Sequence, residues 1–204
     1  VQGALRWFVT SFAAIATWRA TLGRVWAFHR ALERIAAGAG LSPADRILRT
    51  EGGDAIAISG LRVVTPYISL RLAEEEVRVG PGERVLLQAG GGAGKTTLFR
   101  ALAGLWERGA GRISVPASGV MYLPSRSYVA PGTLAEALSY PLAPGAFAPG
   151  RIGEALGKVG LAHLAAHTGE QARWYRLLGE SEKQCLAFAR VVLHAPRWLV
   201  MDDV

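Results

Sequence analysis

The chain has little sulfur: one cysteine, Cys185, and two methionines in 204 residues. A lone thiol excludes an intramolecular disulfide framework, and with only four histidines there are too few soft ligands for a structural zinc site. A reducing, cytosol-facing compartment is the simplest setting that follows. Acidic residues are also scarce, 16 against 23 lysines and arginines, for a formal net charge of +7. Missing too is any apolar run of the roughly 20 residues that a bilayer-crossing helix needs. The candidate stretch, Trp7 to Trp18, has 12. No basic segment precedes that stretch and no small-residue cleavage site follows it, so no secretory signal is visible. What the chain does have is 50% hydrophobic and 19% charged residues, enough to bury the core of one domain, with or without an appendage.

The positive charge is unevenly spread. Residues 1–50 hold seven arginines (6, 19, 24, 30, 34, 46 and 49) against Glu33 and Asp45, an excess of five. Positive charge beside an apolar stretch marks the cytoplasmic flank of a membrane helix, because translocating it is unfavourable. A solvated basic helix explains the same residues. Nucleic-acid binding is the weakest of the three readings, because no recognition motif combining aromatic and basic residues accompanies the charge.

Residues 4–37 read as one helix, with Leu5, Phe8, Phe12, Ile15, Leu22, Trp26, His29, Leu32 and Ile35 at steps of mostly three and four, stopped by Gly38 and Gly40. At 1.5 Å per residue this is a rod of about 50 Å. The segment from Leu41 to Glu51 reads as a linker with a short helix, capped by Ser42 with Pro43 in its first turn. Strand-like runs at 55–58 with 61–64 and at 68–72 lead to the turn Gly80-Pro81-Gly82. Strands at 84–88, 112–115, 120–123 and 198–201 then alternate with helices at 95–106, 134–139, 151–159 and 182–193. That alternation predicts an α/β domain with a largely parallel sheet. The chain starts at Val1 and stops directly after a strand-like run, and reads as a piece of a longer protein.

The strongest chemical signal is Ala89-Gly90-Gly91-Gly92-Ala93-Gly94-Lys95-Thr96-Thr97, between a predicted strand and a predicted helix. Glycines let backbone N–H groups turn toward phosphate oxygens, the helix N-terminus adds partial positive charge, and Lys95 supplies a full one. The Thr96 hydroxyl is placed for Mg²⁺. A second element, Trp198-Leu199-Val200-Met201-Asp202-Asp203, is an apolar strand running into two carboxylates, where Asp202 would reach the same ion at the carboxyl edge of the sheet.

With these two elements the sequence resembles an ATP-binding cassette (ABC) transporter. It is most similar to the exporter-shaped group containing the bacterial SbmA/BacA-like proteins and the peroxisomal acyl-CoA transporters. The resemblance is carried by Trp18-Arg19-Ala20-Thr21, by Pro81-Gly82-Glu83-Arg84 and by the run from Thr97 to Trp106. Leu123-Pro124, Gly132-Thr133-Leu134 and the run from Leu186 to Arg190 extend it. It implies a P-loop NTPase fold of ABC type, incomplete at its C-terminal end. Residues 1–40 would be the cytoplasmic end of the last transmembrane helix, 41–54 a linker and 55–204 the nucleotide-binding domain. Also implied are ATP and Mg²⁺ as ligands, a second nucleotide-binding domain and a transmembrane domain as partners, and a membrane location with the cassette on the cytoplasmic side. Nucleic acid is not expected.

By position, Tyr67 falls where the family stacks an aromatic on adenine; a surface tyrosine in a hairpin remains the other reading. Gly90, Gly91, Gly92, Ala93, Gly94, Lys95, Thr96 and Thr97 would hold the phosphates, Thr96 and Asp202 the metal. Asp203 stands where the catalytic glutamate is usual, one methylene short, which implies slow turnover. Ser125 replaces the glutamine that links the metal and the attacking water to the membrane domain. The signature segment reads Leu178-Gly179-Glu180-Ser181-Glu182-Lys183-Gln184-Cys185, with Glu180 bringing negative charge toward a nucleotide. Ser181 and Gln184 fit a capping box instead. Two further functions stay open at this level: a regulatory half that no longer turns over ATP, and a soluble P-loop ATPase on nucleic acid. Cys185 reads as a half-buried inert thiol, and His163, His167 and His194 as surface or helix-end residues.

Overall fold

The computed structural model describes residues 2–36 and 43–203. The expected helix stop at Gly38 and Gly40 and the Ser42 cap lie outside the described residues. Internal contacts divide the chain into two units, 1–46 and 47–204. In the first, helix α1 (Gln2–Ala36) covers nearly the span predicted from its three-and-four spacing, and Pro43–Asp45 form a 3₁₀ turn. Trp7, Phe12, Ile15, Trp18, Leu22, Val25, Trp26, Phe28 and Leu32 are exposed along α1. The hydroxyls of Thr17 and Thr21 donate back to the carbonyls of Ala13 and Thr17, which satisfies them inside the helix. Among the described residues no helix is long and apolar enough to cross a membrane.

The second unit contains two main sheets. In the larger, β1 (Leu48–Glu51), β5 (Gly109–Val115), β2 (Ile56–Val64) and β3 (Ser69–Arg71) lie side by side, with β4 (Glu76–Val79) also paired to β2. Only β1 and β5 run parallel; β2 is antiparallel to β3, β4 and β5. The prediction of a largely parallel sheet fails here, because hairpin connections such as Thr65–Ile68 favour antiparallel neighbours. Residues 48–51, read as linker, supply the edge strand β1. The two runs at 55–58 and 61–64 are one strand, β2, with a bulge between Ser59 and Arg62. Their alternating inward residues, Ile58, Leu61 and Val63, pack with Ile113 and Val115 of β5 and with Leu98 and Ala101 of α2 (Lys95–Leu102).

The second sheet is the parallel pair β6 (Val120–Leu123) and β9 (Trp198–Met201), both as predicted. The predicted strand at 84–88 does not form: residues 83–90 join no ladder, and Val85, Leu86 and Leu87 are exposed. Apolar β-formers make a strand only where a neighbouring strand takes up their backbone donors and acceptors, and among the described residues no strand lies in register with 83–90.

A helical layer packs α3 (Leu134–Ser139), α4 (Pro149–Lys158), α5 (Trp174–Leu177) and α6 (Glu180–His194) around Leu134, Leu138, Leu156, Trp174 and Leu186. The short strands β7 (Gly132–Thr133) and β8 (Gln171–Ala172) pair beside it. α3 starts in a full capping box: the Thr133 hydroxyl accepts the Glu136 N–H at 3.2 Å, and the Glu136 carboxylate accepts the Thr133 N–H at 2.8 Å. α6 begins two residues before its predicted start, so the expected Ser181–Gln184 box is absent. Instead Glu182 accepts the Gly179 N–H at 2.8 Å.

Candidate functional site

The loop 89–94 enters α2 directly. Gly92 and Gly94 have φ of 75° and 99°, left-handed values that only glycine adopts without strain, and they turn the chain back onto the helix start. At Gly90, Gly91 and Gly92 an added Cβ would meet no protein atom within 4 Å, so the space beside this backbone is open to a ligand. The N–H groups of Lys95 and Thr96, the first two residues of α2, have no acceptor within the helix and carry the positive end of its dipole. The Lys95 ammonium folds over the loop and donates to the Ala89 carbonyl at 3.0 Å. Thr96 is exposed and Thr97 half-buried, its N–H donating to the Gly94 carbonyl at 2.9 Å. Leu70 of β3 packs against Gly94, bringing the β2–β3 turn beside the loop. Tyr67 stands in that turn, 93% exposed, its N–H donating to the Thr65 hydroxyl.

The second group of candidate residues lies where β6 and β9 end. Leu123 and Met201 are register partners, and the Asp202 N–H donates to the Leu123 carbonyl at 3.0 Å, so Pro124-Ser125 and Asp202-Asp203 leave the sheet at one edge. Asp202 is 6% exposed, and its Oδ2 has no hydrogen-bond partner. A buried carboxylate oxygen without a donor is costly and suits a cation. Asp203 is exposed at φ 50°, a left-handed value that aspartate tolerates. Among the described residues no hydrogen bond or ion pair joins the loop to Asp202 or Asp203, and no three His, Cys, Asp or Glu side chains gather into a metal cluster.

Beside this edge lies a cavity of about 290 Å³ lined by Tyr122, Pro124, Ser127, Tyr128, Tyr140 and Arg190, among others. The Arg190 guanidinium donates to the carbonyls of Tyr128 at 3.2 Å and Tyr140 at 2.9 Å and lies over the Tyr140 ring. Burial pushes its pKa down, and its Nε is buried without an acceptor. The sequence flagged Arg190 only as the end of the Leu186–Arg190 run that carries the family resemblance; its place at a cavity wall depends on residues 50 and 62 positions away.

The family model described as "ABC transporter" matches residues 72–204. The chain belongs to that family. An uncharacterized ABC transporter ATP-binding protein of Haemophilus influenzae is 34% identical over 148 residues, covering 72% of this chain and 25% of that protein. The inner membrane ABC transporter ATP-binding protein YddA of Escherichia coli is 30% identical over 203 residues, covering 100% of this chain and 34% of its own length. The mouse lysosomal cobalamin transporter ABCD4 is 32% identical over 175 residues, covering 79% and 28%. The chain thus spans about a quarter to a third of these relatives. A solved bacterial Atm1-family ABC exporter with ATP bound shares the fold, with a TM-score of 0.60 at 20% identity over 80% of this chain and 31% of that one.

Within this ABC cassette, α6 follows the segment read from the sequence as the signature. Its first turn carries Glu180, whose ion pair with Lys183 at 2.7 Å holds its carboxyl below the usual range, with Arg126 adding to the effect. Glu182 already occupies the Gly179 N–H. Two carboxylates at the helix start leave it poorly suited to a phosphate. His163 and His167 pair with Glu182 and Glu170, and His194 meets the Leu138 carbonyl near the end of α6. Cys185 is half-buried against the helical core.

Proposed function

We propose that this chain binds ATP as the nucleotide-binding part of an exporter-type ABC transporter. The observation that carries the reading is the left-handed glycine loop with Lys95 folded across it at the start of α2. On binding, the Lys95 ammonium exchanges the Ala89 carbonyl for phosphate oxygens, and the open backbone of residues 90–94, with the Thr96 N–H and the hydroxyls of Thr96 and Thr97, surrounds them. Tyr67 lays its ring on the adenine. Thr96 and Asp202 hold Mg²⁺, which neutralises phosphate charge when bound; the orphaned Asp202 oxygen supports this assignment. Asp203 orients the attacking water and accepts its proton from a greater distance than a glutamate, so hydrolysis is slow.

The partners in this reading are a second nucleotide-binding domain and a transmembrane domain, with the cassette on the cytoplasmic side of the membrane. Residues 1–40 serve as the inner end of the last membrane helix, in keeping with the arginine excess, and the linker read at 41–54 is cut back to the residues before β1. The cavity beside Ser125, walled by Tyr128, Tyr140 and Arg190, offers the membrane domain a docking place. Calorimetric titration with ATP and Mg²⁺ tests the core of the reading. Lys95→Ala should weaken binding more than tenfold, and equal affinities of parent and variant refute it.

A second reading has its own observation. Glu180 and Glu182 at the start of α6 support a half that holds nucleotide and lets an active partner turn it over. Asp203→Glu separates the two: a clear rise in ATPase rate with the partner domain present favours a merely slowed enzyme, and a background rate favours the regulatory half.

A further inference from the structure

The last turn of α2 ends on the Leu102 carbonyl, and two side chains from different strands converge there. The Arg49 Nε–H of β1 donates to it at 3.0 Å and the Tyr122 hydroxyl of β6 at 2.9 Å. The final carbonyls of a helix have no partner within it, and two donors fill both lone pairs of this one. Arg49 is itself fixed. Burial works against its charge, but the ion pair to Glu51 and the neighbouring Tyr122 hydroxyl outweigh it and hold its pKa above the ordinary value. Gly104, at φ 77°, leaves room for the Arg49 stem: an added Cβ would lie 3.3 Å from the arginine Cδ and Nε. The Tyr122 ring meets Phe99 of α2 edge-on, with centroids 5.9 Å apart.

The two ends of this tie lead to the two halves of the site. α2 begins with Lys95 and Thr96. Tyr122 is the register partner of Val200 on β9, and Asp202 follows two residues later. We propose that Arg49 and Tyr122 are positioning residues which, through the Leu102 carbonyl, hold the phosphate-loop helix in place against the strand pair that delivers Asp202. This rests on the nucleotide reading above. Phosphate contacts come from the loop and the start of α2, and the adenine contact from Tyr67 in the β2–β3 turn, so ATP without metal does not draw on β9. A metal held by both Thr96 and Asp202 needs α2 and β9 in fixed relation, so loosening the tie weakens the metal-dependent part of binding selectively.

The test uses the full chain, with ATP affinity measured by calorimetry in EDTA and again in excess Mg²⁺. The variants are Tyr122→Phe, which keeps the ring against Phe99, Arg49→Gln, and the pair together. Affinity in EDTA should stay within about twofold, while the gain on adding Mg²⁺ falls by about three- to tenfold in the double variant. The double should exceed the product of the singles, because each single leaves one donor on the carbonyl. Amide exchange at Ala103, Gly104 and Leu105 should quicken in the double variant, with or without nucleotide. An unchanged Mg²⁺ gain in the double overturns the proposal, as does an equal loss in both conditions, which a merely structural role would give. A parent chain that binds no ATP removes the nucleotide reading itself, and this proposal with it.

Discussion

Replacing Asp202 with alanine should make the chain more stable while removing its response to magnesium. The carboxylate is 6% exposed, and Oδ2 has no donor. An unsatisfied buried polar atom costs about 1–3 kcal/mol. Alanine deletes it and keeps the backbone bond to Leu123, because that bond uses the N–H. If about 25 Å³ were left empty, the gap would cost about 0.6 kcal/mol at ~24 cal/mol per Å³. The net gain is then about 0.4–2.4 kcal/mol, which for a chain of this length raises the melting temperature by about 1–10 °C. Thermal unfolding followed by circular dichroism reads this directly in EDTA. In excess ATP and Mg²⁺ the order should reverse, since the parent gains ligand stabilisation and the variant loses its metal-dependent share. A variant that melts below the parent in EDTA, or that keeps the parent's full gain with Mg²⁺ and ATP, refutes the reasoning.

Ser139, 1% exposed with an unpartnered hydroxyl in the helical core, should tolerate alanine with a gain of about 1 kcal/mol in urea unfolding; a loss of that size would mean the hydroxyl has a partner. Leu156→Ala, at a fully buried position among the same helices, should cost about 2–5 kcal/mol and shift the urea midpoint accordingly. The lowered pKa of Glu180 gives its ion pair a pH signature. Its contribution is whole above the ordinary value of 4.5 and fades as pH falls through the lowered folded-state value. Melting temperatures of parent and Glu180→Gln should therefore converge toward acid, and a gap that widens there contradicts the assignment.

Local chemistry made some elements readable. Strands β6 and β9 are short apolar runs bounded by glycine or proline on one side and by proline or aspartate on the other, and α3 follows a threonine with glutamate three residues on. The glycine loop 89–94 is legible because its glycines meet a requirement of backbone geometry rather than of packing. Residues 84–88 carry an equally strong apolar signal and pair with nothing, since strand formation is a property of neighbours. β1 was hidden in a linker-like segment for the converse reason: Leu48–Glu51 form a strand because β5 lies alongside. The Arg49–Leu102–Tyr122 tie spans 53 and 20 positions, and no local pattern encodes it.

The unladdered stretch 83–90 also bears on handling the protein. Val85, Leu86 and Leu87 present β-forming side chains to solvent on a stretch that pairs with no strand among the described residues. At high concentration such a seam should favour association between copies, which light scattering against concentration would read. A lysine at position 86, where the leucine is 79% exposed, is the mildest substitution for keeping it in solution.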